Sequence, residues 1–401
     1  MRFLICPGGG YSSLHVLVPL ARALADRGNA VAFATPPMHQ GTVGELGFEG
    51  FPAGPAGGIS GIAAGETSAE LAELGEAARA RKVIGAFASL AEAMVPELSA
   101  VVRRWRPDVL VRDATAFAAW IAAEDAGVPA ALFDFGGVPP SLAARVAGPR
   151  LNRLRAACGL PADPALASMY RWLVLIGAPP GWSDLGQLAP TAHLLQPPDF
   201  DRATIEPRPG WLDSLKGRSR LVYATLGTVF GDSPDLWAAV FAAVAAEPEL
   251  HLVATLGPAV NPQRFGALPA NITVERYVPQ SWVLDAADAV IAHGGYGTLM
   301  GALRRGLPIV TIPMPAADNM LNAARVAALG AGLMLGAGQR NAAAIRQALR
   351  RVLDEPAFRH AAGDLAAATA ALPAEQFGAR LLERLARERR PVTRETTPPR
   401  T

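Results

Sequence analysis

Short apolar segments of strand length alternate with longer helix-period segments through both halves of this chain, and no other feature constrains its fold so tightly. Such alternation is the mark of βα units wound into a parallel sheet. In the first half, Arg2 to Cys6 predicts a strand, Pro7 to Ser13 a glycine-rich loop, Leu14 to Asp26 a helix and Ala30 to Thr35 the next strand. Pro107 to Val111 and Pro129 to Phe133 predict later strands flanking a helix from Ala116 to Ala126. The pattern then breaks at 196–217, where prolines and charges replace both periods, and restarts with a strand at Arg220 to Thr225. Leu250 to Thr255, Ile272 to Glu275, Asp288 to Ala292 and Pro308 to Ile312 follow as strands. The 401 residues therefore divide into two Rossmann-like domains, 1–195 and 218–386, with a linker at 196–217 and a flexible tail at 387–401.

Composition limits the partners. A net charge of +2 from 37 basic and 35 acidic residues supplies no broad positive field, so no nucleic-acid footprint is present. Cys6 and Cys158 are the only cysteines, which excludes a disulfide framework and predicts reduced thiols. The start, MRFLIC, lacks a signal-peptide pattern, and the apolar stretch from Phe117 to Phe133 is interrupted by Glu124, Asp125, Gly127 and Pro129. The expectation is a cytoplasmic protein, without stable membrane insertion, acting on a small molecule.

His293-Gly294-Gly295-Tyr296-Gly297-Thr298 follows a predicted strand and precedes a predicted helix. A strand-to-helix turn aims backbone N–H groups and the positive end of the helix dipole at one point, and glycines let an anion come close. His293 and Thr298 add side-chain donors to such a phosphate cradle; the bland reading is a structural histidine and a tight turn. Around it stand Tyr277-Val278-Pro279-Gln280, Gly306-Leu307-Pro308, Pro313 and Asp318-Asn319-Met320-Leu321-Asn322-Ala323.

Together these elements resemble the donor-binding motif of nucleotide-sugar glycosyltransferases of the plant secondary-product and bacterial antibiotic type, over about 50 residues of the second half. The resemblance implies GT-B architecture, α/β with two facing Rossmann-like domains and parallel sheets, the first binding an acceptor and the second a donor. It places the nucleoside base against Tyr277 and the Val278 backbone, the diphosphate at His293, Gly294, Gly295, Gly297 and Thr298, and the sugar hydroxyls near Asp318 and Asn319, with Gln280 also in the donor site. Thr228, in the turn Leu226-Gly227-Thr228, would add a hydroxyl to the diphosphate or serve as a helix N-cap. Tyr277 also reads as a half-buried strand-end aromatic, and Asp318 as the N-cap of a helix from Asn319 to Leu329. Tyr277 stands where the family usually has Trp, Asn319 where it has Gln, and Gly301 where many members have Glu against the ribose. The segment from Pro313 to Asp318 is one residue longer than the family pattern.

The family's base is a His at the start of the first helix, oriented by an Asp after a later strand. Asp113 matches the Asp position; alternatively it is a strand-end carboxylate paired with Arg112 or solvated. Ser13 occupies the base position and otherwise reads as an N-cap; His15 lies two residues on, about 200° round a helix. His15 is the base if the helix starts after it, and a partly buried helix histidine if not. The 53–67 segment reads either as a mobile ligand loop or as a plain surface loop.

The implied activity is inverting transfer of a sugar from a nucleoside diphosphate, dTDP-deoxysugar first and UDP-sugar second, to a small apolar natural-product acceptor. A catalytically silent GT-B binding protein and a lipid-linked sugar transferase are the rivals. The Pro7 to Ser13 loop lacks the third glycine of a dinucleotide fingerprint, and Asp199 and Asp201 have no clustered ligands, so neither a nicotinamide cofactor nor a metal is expected.

Overall fold

The computed structural model describes residues 1–59, 76–136, 139–184, 189–201, 208–215, 219–227, 231–257, 260–314 and 317–394. Its first sheet has seven parallel strands: β1 (Arg2–Cys6), β2 (Ala30–Thr35), β3 (Glu49–Pro52), β4 (Val109–Asp113), β5 (Ala130–Asp134), β6 (Leu173–Gly177) and β7 (Ala192–Leu195). They lie in the order β3-β2-β1-β4-β5-β6-β7. The second sheet has six: β8 (Arg220–Thr225), β9 (Leu250–Thr255), β10 (Ile272–Glu275), β11 (Ala289–Ala292), β12 (Ile309–Thr311) and β13 (Gly332–Met334), in the order β10-β9-β8-β11-β12-β13. Both are doubly wound, and the strand order reverses at β1/β4 in one and at β8/β11 in the other. Ligands of such sheets bind outside the carboxyl ends of the strands at that reversal.

The central strands are apolar on both faces because helices cover both. β4 and β5 are buried at every position, the pattern of a parallel sheet sandwiched between helices. The long helix Glu76–Trp105 lays Ile84, Leu90, Met94, Leu98, Val102 and Trp105 into the first core, alongside Phe117, Trp120 and Ile121 of the helix Phe117–Asp125. Its portion Arg81–Trp105 is long and apolar enough by composition to cross a bilayer, but those side chains make the core of the first sheet's unit.

The chain divides into two compact units, and the division corrects the domain limits drawn from sequence. Among the described residues, those before 201 and those after 371 form one unit, and those of 201–371 form the other. The expected linker thus contains the boundary at Phe200/Asp201, and its 210–215 part is a short helix of the second unit with Leu212 buried. The last helix, Glu375–Glu388, falls in the second domain by sequence position; it packs on the first. Arg27 bonds the Glu383 carboxylate bidentately at 3.0 and 2.7 Å, and Asn29 joins it at 2.8 Å. The first residues of the expected flexible tail are also held. Val392 is buried, its N–H donating to Trp172 O, and Arg394 N–H donates to Pro190 O. Residues 53–59, expected to start a mobile loop, are tied down by Ala53 N–H to Thr35 O and Gly54 N–H to Glu97; 60–67 lie outside the described residues.

Candidate functional site

At the β8/β11 reversal, the chain leaves β11 at Ala292 and turns through His293-Gly294-Gly295 into the helix Tyr296–Leu303. Gly295 takes the cap position with no side chain closing the helix, which leaves the first-turn N–H groups to be met from outside. The glycines are dictated by close neighbours. A Cβ on Gly295 would stand 2.3 Å from His293 Nε2, and one on Gly227, in the turn after β8, 2.6 Å from the same atom. Gly294, at φ +94, would put a Cβ 2.4 Å from the Asn319 carbonyl oxygen. The imidazole therefore sits clasped between two turns that have no room for side chains.

His293 is held neutral. Burial pushes its pKa from 6.5 to about 4, against a raising contribution from the Thr225 backbone. Its Nδ1 is buried without a hydrogen-bond partner among the described residues, so the ring has bonding capacity to spare for a ligand. Thr298 is buried in the helix's first turn, but its hydroxyl donates to Gln280 Oε1 at 3.2 Å. The expected donor from Thr298 is thus spent on Gln280, whose Nε2 lies 3.4 Å from Gly297 O. Thr228 lies outside the described residues.

The helix Ala317–Ala328 meets the turn edge-on. Asn322 Nδ2 donates to Gly294 O at 3.1 Å, and Asn319 is buried beside it. Asp318 lies within the first turn rather than at the N-cap read from sequence, because the helix starts at Ala317. Burial raises its pKa, opposed by its own N–H and that of Asn319. Tyr277 presents an exposed ring, 47 % accessible, while Val278 beside it is buried. Gly301 faces the helix Gln280–Leu284: a Cβ there would lie 2.8 Å from Leu284 and 3.7 Å from Gln280 Nε2.

In the first unit the β1/β4 reversal brings Gly8 against Asp113. The carboxylate accepts from Gly8 N–H at 2.5 Å, from Thr115 N–H and hydroxyl at 2.6 Å each, and from Ala116 N–H at 3.1 Å. Three of these donors meet Oδ1 and one meets Oδ2, so Asp113 clamps its own loop. It does not pair with Arg112, whose buried guanidinium donates to the Asp113 and Met169 backbone carbonyls. The first helix begins at Tyr11, capped by the backbone of Gly10. Ser13 is therefore a buried first-turn residue and not the N-cap, and His15 is helical too, on another face against Tyr11 and Phe200.

Sequence reasoning missed His39. It is fully buried, its Nε2 lies 3.2 Å from Gly9 O, and Tyr11 packs edge-on at 4.6 Å. It belongs to no motif, and its position beside the glycine loop comes from β2 following β1. Also missed was an apolar hollow lined by Ile84, Phe87, Phe117 and Met169, with Thr115, Asp134 and Tyr170 as its polar groups.

Two doubly wound parallel-sheet units with a glycine-clasped turn at the second reversal define a GT-B glycosyltransferase. The erythromycin biosynthesis protein CIII-like models match the chain, the N-terminal domain over 62–183 and the C-terminal domain over 240–385. The 4'-demethylrebeccamycin synthase of Lentzea aerocolonigenes is 30 % identical over 90 % of this chain and 94 % of its own. The solved glycosyltransferase SnogD from Streptomyces nogalater matches with a TM-score of 0.75 at 26 % identity, covering 96 % of this chain and 99 % of that one. Spinosyn rhamnosyltransferase SpnG complexed with thymidine diphosphate matches with a TM-score of 0.78 at 25 % identity, covering 96 % and 100 %. The chain belongs to the erythromycin biosynthesis protein CIII-like family, and it is a glycosyltransferase of the antibiotic-biosynthesis type.

Proposed function

We propose that the chain is an inverting glycosyltransferase that takes a sugar from a dTDP-linked donor, with UDP-linked donors second, and gives it to a small apolar natural-product acceptor. The observation that carries this reading is the His293-Gly294-Gly295 turn at the β8/β11 reversal. There a helix start without a side-chain cap and a neutral imidazole lie together, the groups that a diphosphate would use. Donor stabilisation of the leaving diphosphate is the main catalytic contribution, because N–H dipoles fixed in advance need no reorganisation as negative charge develops. Tyr277 offers a face to the base, and Asp318 and Asn319 lie beside the turn for the sugar.

The thymidine diphosphate held by the SpnG relative favours dTDP. The Gly301 position agrees, since no carboxylate stands there to recognise a second ribose hydroxyl. The acceptor belongs to the first unit, where the Phe87–Phe117–Met169 hollow offers an apolar lining. We assign the protein to the cytoplasm and expect no metal requirement. Calorimetric titration with dTDP and UDP, repeated on His293→Ala, tests the reading. It predicts tighter dTDP binding and a loss of about tenfold or more in the variant; no binding of either nucleotide defeats it.

A further inference from the structure

The first unit has the right architecture for an acceptor but, as its residues are placed, no proton acceptor among those expected. Asp113 is engaged by four donors of its own loops, Ser13 is a buried hydroxyl, and His15 packs against Tyr11 and Phe200. A hydroxyl nucleophile still has to lose its proton during transfer.

His39 has the features that role needs. The Gly9 carbonyl, 3.2 Å from Nε2, can only accept, so Nε2 carries the proton and Nδ1 holds the lone pair. That Nδ1 is buried and has no partner among the described residues. A buried nitrogen left without a partner is destabilising, and its retention is better explained by use than by packing. The ring is fixed on all sides that matter. Gly58, at φ +56, admits no side chain because a Cβ would lie 2.8 Å from Gly9 O and 3.3 Å from Met38 Sδ, so the 36–39 turn closes on the glycine loop. Burial lowers the pKa of the imidazole, keeping it unprotonated at neutral pH. Tyr11, 43 % exposed, packs edge-on against the ring at 4.6 Å, and His15 is the next titratable ring, 6.1 Å from Tyr11.

We propose that His39 is the catalytic proton acceptor of the first unit, its Nδ1 meeting the acceptor hydroxyl when the Tyr11 ring turns aside. This rests on the glycosyltransferase reading above. In the step, the hydroxyl proton passes to Nδ1 as the oxygen lone pair bonds the anomeric carbon. The bond from that carbon to the diphosphate breaks, its electron pair leaving with the diphosphate, and the imidazolium later returns its proton to water. No oxidant or further reactant is needed.

His39→Gln separates catalysis from support, since its amide N–H still serves the Gly9 carbonyl but it carries no basic nitrogen. Release of dTDP from dTDP-glucose is measured with 4-methylumbelliferone as acceptor probe and with water alone. The proposal expects kcat to fall at least about 100-fold, KM for dTDP-glucose to stay within about threefold, and the acid limb of the pH profile to vanish. A variant within about threefold of wild type overturns it. Nitrogen NMR of histidine-labelled wild-type protein is an independent test. A neutral ring protonated on Nε2 at pH 7 supports the proposal, and a charged ring or one protonated on Nδ1 overturns it, whether or not the probes turn over or the variant folds. Failure to bind dTDP, by contrast, would defeat the donor-site reading rather than the role of His39.

Discussion

The clasp around His293 makes the smallest substitutions the most informative. Gly295→Ala places a methyl group 2.3 Å from the imidazole, which must move; dTDP affinity should fall by about tenfold or more with little change in melting temperature, as calorimetry and thermal melts would show. Gly294→Ala meets backbone, 2.4 Å from Asn319 O, at φ +94, so there the loss is stability, about 1–3 kcal/mol in chemical denaturation. The depressed pKa of His293, about 4 against 6.5, also sets a pH dependence. Between those values the unfolded chain binds a proton that the folded chain refuses, so stability present at pH 7 is lost as pH falls from about 6.5 towards 4. Melts across that range should show a shallower loss in His293→Gln than in wild type; equal slopes would remove His293 from the cause. At this scale the strand-to-helix turn was legible because glycines, a histidine and a helix start leave their spacing in the sequence. His39 was not, because a lone histidine after Pro36-Pro37-Met38 acquires its meaning only when β2 is laid beside β1.

Among elements, the helix Glu375–Glu388 departs furthest from expectation. Its amphipathic pattern announces a buried face but not which unit supplies the cover, and its position after the second sheet suggests the wrong one. The contact that decides it is an ion pair far apart in sequence. Glu383 is 8 % exposed and carries three hydrogen bonds from Arg27 and Asn29. Those donors hold its pKa below the ordinary carboxylate value, Arg27 first. Glu383→Ala strands a partly buried guanidinium and should cost about 1–3 kcal/mol, read by urea denaturation; a change under about 0.5 kcal/mol would mean the helix docks through its apolar face alone. The first helix also shows where local rules stop. Ser13 is a good N-cap type, yet Gly10 supplies the break and the helix starts at Tyr11, since Tyr11 packs on His39 and Leu14 is buried in the core.

For the molecule as a whole, the alternation of strand and helix periods is enough to specify two parallel sheets, and the strands at each reversal fall within a residue or two of expectation. The strands not anticipated are β3, β6, β7 and β13, three of them only three or four residues long. Short edge strands bury little and so write a weak apolar pattern. The proposed function divides the labour between the two reversals: the second unit is to hold the leaving diphosphate, the first to bind the acceptor and supply its base. The most direct test of the central claim is a crystal structure of the chain grown with dTDP. The account predicts the diphosphate on the Gly294–Gly297 backbone within hydrogen-bond distance of His293; a diphosphate bound anywhere else would contradict it.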